Sequence, residues 1–316
     1  MRDSNEMSIQ GTEPGNNHSN DDHNHKRVFA GFRSIWQQLL ISKTGLFGAV
    51  LVLVVVVIAI AAPLLTSHDP AAVSPLNRLK PPAWLEGGTA EYWLGTDNLG
   101  RDMWSRIVYG ARVSLIVGMG AVIVSGILGA ILGLISGFYG KWLDAIIMRV
   151  GDAFMAIPTI LFMLVVMAIA GPGMTTLILV IGVTNWVPFT RVVRSEVLSI
   201  KERDFVFAAR SIGAKNGRLI LKHILPNVLS SFIVICGMNV GTTIIMEASL
   251  SFLGLGIKPP DVSWGGMLSD GRQYVATSWW VATFPGLAIT FTVLGVIFLG
   301  DWLRDVLDPR TESAHK

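Results

Sequence analysis

The sequence predicts an all-α polytopic membrane protein with six transmembrane helices and with both termini in the cytoplasm. The composition, six apolar segments and the positions of the basic residues support this fold class. Hydrophobic residues make up 51% of the 316 residues and charged residues 15%, whereas soluble domains carry about 25% charged residues. Each apolar segment is expected to be helical, because an open strand cannot satisfy its backbone hydrogen bonds in lipid.

Six segments without a charged residue approach the roughly 20 residues that a spanning helix needs. They cover residues 46–65, 113–138, 153–170, 174–190, 224–246 and the part of 273–300 that follows about residue 278.

The order of these segments divides the chain into four parts. Residues 1–30 are polar and are expected to form a disordered cytoplasmic tail, since they lack the apolar core of a signal peptide. Residues 31–111 hold the first span and an external loop, and residues 112–301 hold a core of five spans with a cytoplasmic loop at 191–226. Residues 302–316 are expected to form a cytoplasmic C-terminal tail.

Lysine and arginine near the ends of the spans set the orientation of the chain. Four bases precede the first span, with no acid between residues 23 and 45. The loop between spans four and five carries eight bases against three acids over residues 191–223. Counting spans from a cytoplasmic N-terminus also places this loop in the cytoplasm, so the two criteria agree.

Cysteine and histidine do not indicate a metal site or a disulfide. Cys236 is the single cysteine and lies in an apolar span, where we interpret it as a small packing residue. His18, His23 and His25 in the N-terminal tail could bind a metal, but a flexible segment makes this the less favoured interpretation.

Proline and glycine mark two further features of the spans. Pro158 and Pro188 predict breaks or kinks in spans three and four, which either border a translocation path or serve packing alone. Gly129, Gly133 and Gly137 form a face of small residues on span two. Such a face permits close helix packing, either within one subunit or against a second one.

Three charged residues lie at the edges of the spans. Arg149 and Asp152 precede span three one helical turn apart, so they are expected to pair with each other or to sit at the cytoplasmic mouth. Glu247 directly follows span five, and we interpret it as a residue that reaches out to the membrane interface. None of the three is assigned to substrate binding.

The loop at 191–226 predicts a short amphipathic helix. Apolar residues recur there at the i, i+3, i+4, i+7 spacing of one helical face, at Phe205, Ala208, Ala209 and Ile212. Gly213 follows as a C-terminal turn requires, and a second helical piece is expected at 218–225 before Pro226. The short helix could lie on the lipid surface, cover its own bundle, or insert into a groove of a partner.

This segment resembles the EAA loop of permease subunits of binding-protein-dependent ABC importers. That family has Glu-Ala-Ala, three residues, Gly, nine residues, Ile, one residue and Leu-Pro. The matching positions are Ala208, Ala209, Gly213, Leu225 and Pro226. Phe207 stands where Glu is usual, and His223 stands where Ile is usual.

Other segments resemble the dipeptide, oligopeptide and nickel branch of the family, and the C-type dipeptide permease in particular. They are residues 81–88, 93–97, 99–102, 105–106, 223–227, 249–256, 259–260, 264–265 and 300–309.

The resemblance implies the fold of a type I ABC importer permease in the cell inner membrane. It implies a second permease, usually a different B-type chain, two ATPase subunits that hold ATP and Mg, and a periplasmic or lipid-anchored binding protein. This chain has no GxxxxGK[ST] phosphate loop, so ATP hydrolysis is expected on the separate ATPase subunits. The resemblance also implies that this chain has no catalytic residues, binds no metal, cofactor or nucleic acid, and contacts lipid and its partner proteins. The implied ATPase-coupling residues are Phe207, Ala208, Ala209, Arg210, Gly213, Ala214, His223, Leu225 and Pro226.

Other function classes fit the sequence less well. A secondary transporter would be expected to carry ionisable groups inside the spans, whereas the six predicted segments contain no charged residue. An intramembrane hydrolase would need a Ser-His pair or paired acids there, and the histidine nearest to a span, His223, lies at its cytoplasmic edge. A simple anchor would not need six spans and an organised loop. Among importer substrates, peptides are favoured, while glutathione, nickel complexes or another small solute stay open.

Overall fold

The computed structural model describes residues 37–307, and this part of the chain is helical apart from its loops. Within these residues, β-type backbone pairing is limited to one isolated antiparallel bridge between Thr96 and Asp102. The tail at 1–30 with its three histidines and the last residues of the C-terminal tail lie outside the described range. The helices are α1 Lys43–Ile60, α2 Ala62–Leu65, α3 Met103–Tyr139, α4 Lys141–Ala156, α5 Thr159–Ala170, α6 Met174–Thr184, α7 Trp186–Lys201, α8 Asp204–Ser211, α9 Asn216–Phe252, α10 Trp264–Gly271 and α11 Trp280–Leu307.

Four of the described helices are long and apolar enough to cross a membrane, namely α1, α3, α9 and α11. Two bent pairs satisfy the same criterion together: α4 with α5 at 88°, and α6 with α7 at 43°. Counting each bent pair as one crossing gives the six spans predicted from the sequence.

Helix α3 begins earlier than the predicted second span. The Asp102 carboxylate caps it by accepting from the Ser105 amide at 2.8 Å and from the Ser105 hydroxyl at 2.6 Å, which satisfies a free N–H of the first turn. Its 37 residues correspond to roughly 55 Å, more than the ~30 Å hydrocarbon core. The expected boundary at 111/112 therefore falls inside a helix that extends beyond the membrane, and α11 likewise continues past residue 301.

The two prolines in the bent spans lie at different positions relative to the breaks. Pro158 lies at the break between α4 and α5, where Ile157 has an extended backbone, as predicted. The break between α6 and α7 lies at Asn185, three residues before Pro188. Pro188 occupies the first turn of α7, where a missing N–H costs little because the first amides of a helix have no intrahelical acceptor. The kink predicted in span four is therefore present, and Pro188 explains its position, because a proline cannot bond to the carbonyl four residues back, at Thr184, where α6 ends.

The small-residue face of α3 packs inside this subunit. A Cβ atom on Gly129 would lie 2.8 Å from the carbonyl oxygen of Trp186, and one on Gly133 would lie 2.7 Å from Cβ of Val193. A Cβ atom on Gly137 would meet Val197 equally closely. The face is therefore filled by α7, which decides between the two alternatives that the sequence left open.

The other long helices pack around the same axis. Helix α1 lies against α11, α11 lies against α9, and α9 returns to α3. Three clusters of buried apolar residues line this bundle: one near Met103 and Trp264, one around Met163 and Met167, and one around Val197 near the other end of α3. The loop predicted to be cytoplasmic belongs to the last cluster.

Candidate functional site

Helix α8 is a short helix with a well-defined end. Gly213 has φ +84°, a conformation that costs a glycine little. The Gly213 amide donates to the Arg210 carbonyl at 3.0 Å and the Ala214 amide donates to the Ala209 carbonyl at 3.1 Å. These two bonds form a Schellman motif, which satisfies the last carbonyls of the helix. The predicted C-terminal turn at Gly213 is confirmed.

Two buried residues attach α8 to the bundle. Val206 is 1% exposed and Ala209 is 8% exposed, and both belong to the cluster formed by Val193, Val197 and Ile200 of α7 with Leu219, Ile224 and Val228 of α9. The predicted apolar stripe is therefore only partly right, because Ala209 is its one buried member. Val206 was missed, although its i, i+3 spacing to Ala209 is the signal that could have found it.

The other apolar residues of this segment face outwards. Phe205, Phe207 and Ile212 are 40%, 47% and 86% exposed, and Ala208 is exposed beside them. Exposed bases flank them at Arg203, Arg210, Lys215, Arg218 and Lys222. We refer to Phe205, Phe207, Ala208 and Ile212 with these bases as the α8 surface.

Helix α9 begins with a distorted turn next to α8. Residues Leu219–Ile224 are π-helical, and the Leu225 amide donates to the carbonyl of Ile220, five residues back. The wider turn accommodates Pro226, which is exposed and cannot donate a backbone hydrogen bond.

His223 lies in this distorted turn and faces α8. Its ring is half-buried, and its centroid lies 6.4 Å from that of Phe205. The family position that usually holds Ile thus holds a ring that contacts α8. Leu225 next to it is also half-buried.

Polar contacts fix the neighbouring helix ends to one another. The Lys201 ammonium of α7 donates to the Gly137 carbonyl of α3 at 3.2 Å. Arg194 of α7 pairs with both carboxylate oxygens of Asp144 in α4, with 2.6 Å between Nη2 and Oδ2. The Ser231 hydroxyl of α9 donates to Glu196 of α7 at 2.9 Å. Helix α8 therefore contacts α7 and α9 through its buried residues, and α7 is joined by polar contacts to α3, α4 and α9.

An ionic cluster of three buried residues and the partly exposed Asp270 lies at the other end of α3. Asp97 is 1% exposed and pairs through Oδ2 with Arg101 at 2.6 Å and with Arg106 at 3.2 Å. Asp270 of α10 pairs with Arg101 at 2.8 Å and with Arg106 at 3.2 Å. Two arginines and two aspartates balance in charge and hold the loop before α3 against α10. We call Asp97, Arg101, Arg106 and Asp270 the ionic cluster.

The rest of that loop is fixed by hydrogen bonds around Thr96. The Trp280 indole donates to the Thr96 carbonyl at 3.1 Å, and the Lys80 amide donates to the Thr96 hydroxyl at 2.8 Å. The Asn77 side chain donates to the Tyr92 hydroxyl at 3.0 Å. Burial, together with the neighbouring Glu91 carboxylate, raises the pKa of Tyr92. The residues at 93–106 that carry the family resemblance thus build an ordered loop.

The structure rules out an ion pair between Arg149 and Asp152, and the expectation for Glu247 was wrong. The Asp152 carboxylate pairs with Arg191 of α7 at 2.7 Å, and this pair is exposed. Arg149 is therefore not its partner. Glu247 is 0% exposed and lies within α9, so it does not reach out to the interface.

Glu247 joins α9 to α3 from inside the bundle. Its carboxylate accepts from the Ser251 hydroxyl at 2.7 Å and from the Ser114 hydroxyl at 3.3 Å. Charged or acidic groups inside a membrane protein are costly unless they are paired or hydrogen-bonded. Here hydroxyl donors from two helices supply those bonds.

Replacing Glu247 with alanine will therefore destabilise the assembled protein by about 1–3 kcal/mol, the cost of leaving buried polar groups unpaired. Glu247→Gln keeps the side-chain volume and one carbonyl acceptor, so we expect a smaller loss. Heating the detergent-solubilised complex and following its unfolding measures both changes. Equal stability of the alanine variant and the unmodified protein would contradict this role.

The described residues offer no group of three or more His, Cys, Asp or Glu side chains arranged to hold a metal ion. Instead, the long helices join an ordered loop with the ionic cluster at one end of α3 to the exposed apolar and basic α8 surface near the other end.

The family of this chain follows from comparison with known sequences. Residues 129–313 match the family described as binding-protein-dependent transport system inner membrane component. The chain belongs to this permease family. Residues 32–82 also match the N-terminal transmembrane domain of oligopeptide transport permease C.

Several curated proteins are similar to the permease over most of its length. A dipeptide transport system permease protein DppC of Alkalihalophilus pseudofirmus is 45% identical, over 89% of this chain and 91% of that protein. A di/tripeptide transport system permease protein DppC of Pseudomonas aeruginosa is 39% identical, over 89% and 93%. A glutathione transport system permease protein GsiD of Pectobacterium atrosepticum is 40% identical, over 91% and 94%.

The solved structures support the fold. A chain of the inward-facing MetNI methionine ABC transporter matches with a TM-score of 0.54 and 20% identity, over 65% of the permease and 97% of that chain. The permease therefore has the type I importer permease fold predicted from its sequence, and it is a multi-pass membrane protein.

Proposed function

We propose that this permease is the C-type subunit of a peptide importer driven by separate ATPases. Together with a second, B-type permease it forms the pore for di- or oligopeptides that a periplasmic or lipid-anchored binding protein delivers. Two ATPase subunits carry ATP and Mg. The similarity to permeases named for dipeptides, tripeptides and glutathione, which is itself a tripeptide, supports the substrate class.

The α8 surface is the feature that carries the coupling part of this proposal. Three of its large apolar side chains are exposed although the same helix buries Val206 and Ala209. An exposed apolar patch rimmed by polar groups is typical of a protein interface. We infer that α8 docks in a groove of an ATPase subunit, with Ala208 and Gly213 permitting close approach of the backbone.

Charge supports the same assignment. The segment at 191–223 carries eight bases and three acids, which favours the cytoplasmic side, where ATP is available. The exposed bases favour an acidic rim on the partner groove. Phe207 contributes apolar area where the family usually offers a carboxylate, so docking at this position rests on burial rather than on an ion pair.

Movement of the ATPases reaches the bundle through contacts already described. Closure of the two ATPases displaces α8, and Val206 and Ala209 transfer that displacement to α7 and α9 because a close-packed cluster resists compression. The contact of Lys201 with Gly137 extends it to α3. In this way the permease changes access to its pore without carrying out any chemistry.

Ile212→Asp tests this docking. Ile212 is 86% exposed and Leu76 in the loop before α3 is 96% exposed, so Leu76→Asp introduces the same charge without touching the α8 surface. We expect Ile212→Asp to weaken binding of the ATPase subunits at least tenfold, about 1.4 kcal/mol, and Leu76→Asp to leave it unchanged. Co-purification of the ATPases from solubilised membranes measures the effect.

Reconstituted vesicles give the complementary test. Uptake of peptide with the second permease and the binding protein should require both the ATPases and ATP. Full retention of the ATPases by Ile212→Asp, or peptide uptake without ATP, would refute the coupling role of α8.

A further inference from the structure

The two bent pairs break at similar distances along the chain from the turn that joins them. Helix α5 has 12 residues and α6 has 11, and the two are joined by the turn at 171–173. At 1.5 Å per residue both breaks lie about 17–18 Å from that turn. With the turn at the edge of the ~30 Å hydrocarbon core, as the six-span topology predicts, this distance places both breaks roughly in the middle of the bilayer.

The two breaks are also neighbours in space. The Phe154 ring, just before the first break, lies 5.7 Å from the Trp186 ring, just after the second break. It also lies 5.7 Å from the Phe162 ring on the far side of its own break. The breaks at Ile157–Pro158 and at Asn185 therefore form one irregular region.

The first break stands clear of the rest of the described chain. All seven residues at 155–161 are exposed in succession. In the uninterrupted helix α3, by contrast, exposed residues recur only every third or fourth position, at Ile116, Met119, Ile123, Ile127 and Ile131. Exposure at every third or fourth residue is typical of a helix with one side towards lipid. Exposure of seven successive residues means that all sides of the chain are uncovered at the first break.

A break of this kind carries backbone groups that need polar partners. The last four carbonyls of α4 and the first amides of α5 have no partner within their helices. Lipid cannot supply partners, so irregular backbone at this depth occurs where protein covers it or where it lines a water-filled cavity. The exposed pair of Asp152 and Arg191 lies five residues from Ile157 on α4 and five from Trp186 on α7. Exposed charges this close to both breaks favour water.

We propose that the Ile157–Pro158 break lines the water-filled translocation path and that its free backbone carbonyls accept hydrogen bonds from the main chain of a peptide in transit. This inference rests on the proposed function. Residues 153–161 and 184–190 contain no charged side chain. Contacts made there address the peptide backbone and do not select the charge of its side chains.

Asn185 adds a donor to the same region. Its side-chain nitrogen is buried and has no hydrogen-bond partner among the described residues. An unpaired buried amide is costly. A water molecule or a peptide carbonyl that reaches the break would satisfy it.

Thiol labelling in membrane vesicles tests the position of the break. Cys236 is first replaced by alanine, and single cysteines are then introduced at Ile157 or Thr159 in the break and at Ile127 on α3 in the full transporter. A charged, membrane-impermeant maleimide reacts with thiols in water. We expect at least tenfold faster labelling at residues 157 and 159 than at residue 127, with all three thiols reacting fully after denaturation.

Each alternative gives a different result. Labelling at residues 157 and 159 no faster than at 127 would overturn the proposal. A lipid-soluble maleimide that then reacts at the break would place the break against lipid, and protection from both reagents would place it against the second permease. These readouts do not involve the ATPases, so they remain informative even when the α8 docking test fails. Immunoblots of the membranes confirm that each variant is inserted.

Discussion

Replacing Asp97 with alanine will lower the free energy of unfolding of the permease by about 3–5 kcal/mol, the cost of removing one member of a buried ion pair. Asp97 is 1% exposed, and its carboxylate pairs with Arg101 and Arg106. Without it, two buried guanidinium groups share the single carboxylate of Asp270. The same substitution also removes the acceptor for the amides of Leu99 and Arg101, at 2.8 and 2.9 Å.

One companion variant separates charge from hydrogen bonding, and a second serves as a control. Asp97→Asn keeps an oxygen for the two amides but loses the charge, so its loss should be smaller than that of alanine. Glu86→Ala changes an exposed acid of the same loop and should alter stability by less than about 0.5 kcal/mol.

Thermal unfolding of the detergent-solubilised complex, followed by size-exclusion chromatography, measures these differences. A double variant with Arg106→Leu should recover part of the loss, because it removes one of the unpaired cations. If Asp97→Ala and Glu86→Ala unfold at the same temperature, the ionic cluster does not hold the loop.

Replacing Gly129 with leucine will prevent α7 from packing on α3 and will abolish assembly of the permease. A Cβ atom on Gly129 would already lie 2.8 Å from the Trp186 carbonyl oxygen, and backbone cannot move away without separating the two helices. One extra methylene in a packed core costs about 1–3 kcal/mol. Gly129→Ala should fall in that range, and leucine should exceed it.

Gly237→Ala is the matched control, because a Cβ atom at Gly237 of α9 meets nothing within 4 Å. Alanine favours the helix over glycine by about 1 kcal/mol, so this variant should be as stable as the unmodified protein or slightly more stable. The yield of monodisperse complex after solubilisation reports both changes. Normal yield and melting temperature for Gly129→Leu would show that the two helices are not in the close contact described.

The sequence predicted the spans well and their internal geometry less well. Apolar segments identify helices in a membrane because the cost of each residue in lipid is largely a local sum. Where a helix bends depends on what packs beside it. Thus Pro158 lies at the break that it predicts, whereas the break predicted by Pro188 lies three residues earlier, at Asn185.

Helix α8 shows the same division. Gly213 was predictable, since few other residues tolerate a positive φ at a helix end. The burial of Val206 and the exposure of Phe205 and Phe207 were not, because periodicity finds an apolar face but does not say which face has a partner. The role of the site residues in ATPase docking stays a prediction.

By itself, the sequence determined that this protein crosses the membrane, how many apolar segments it has and which family motifs it carries, because these properties depend on residues near one another in the chain. The tertiary structure alone decided that Arg101 meets Asp270 across 169 positions, that Glu247 is buried, and that two helix breaks are neighbours in space. Such contacts depend on how the helices pack, and no local pattern of residues encodes the distance between two side chains on different helices.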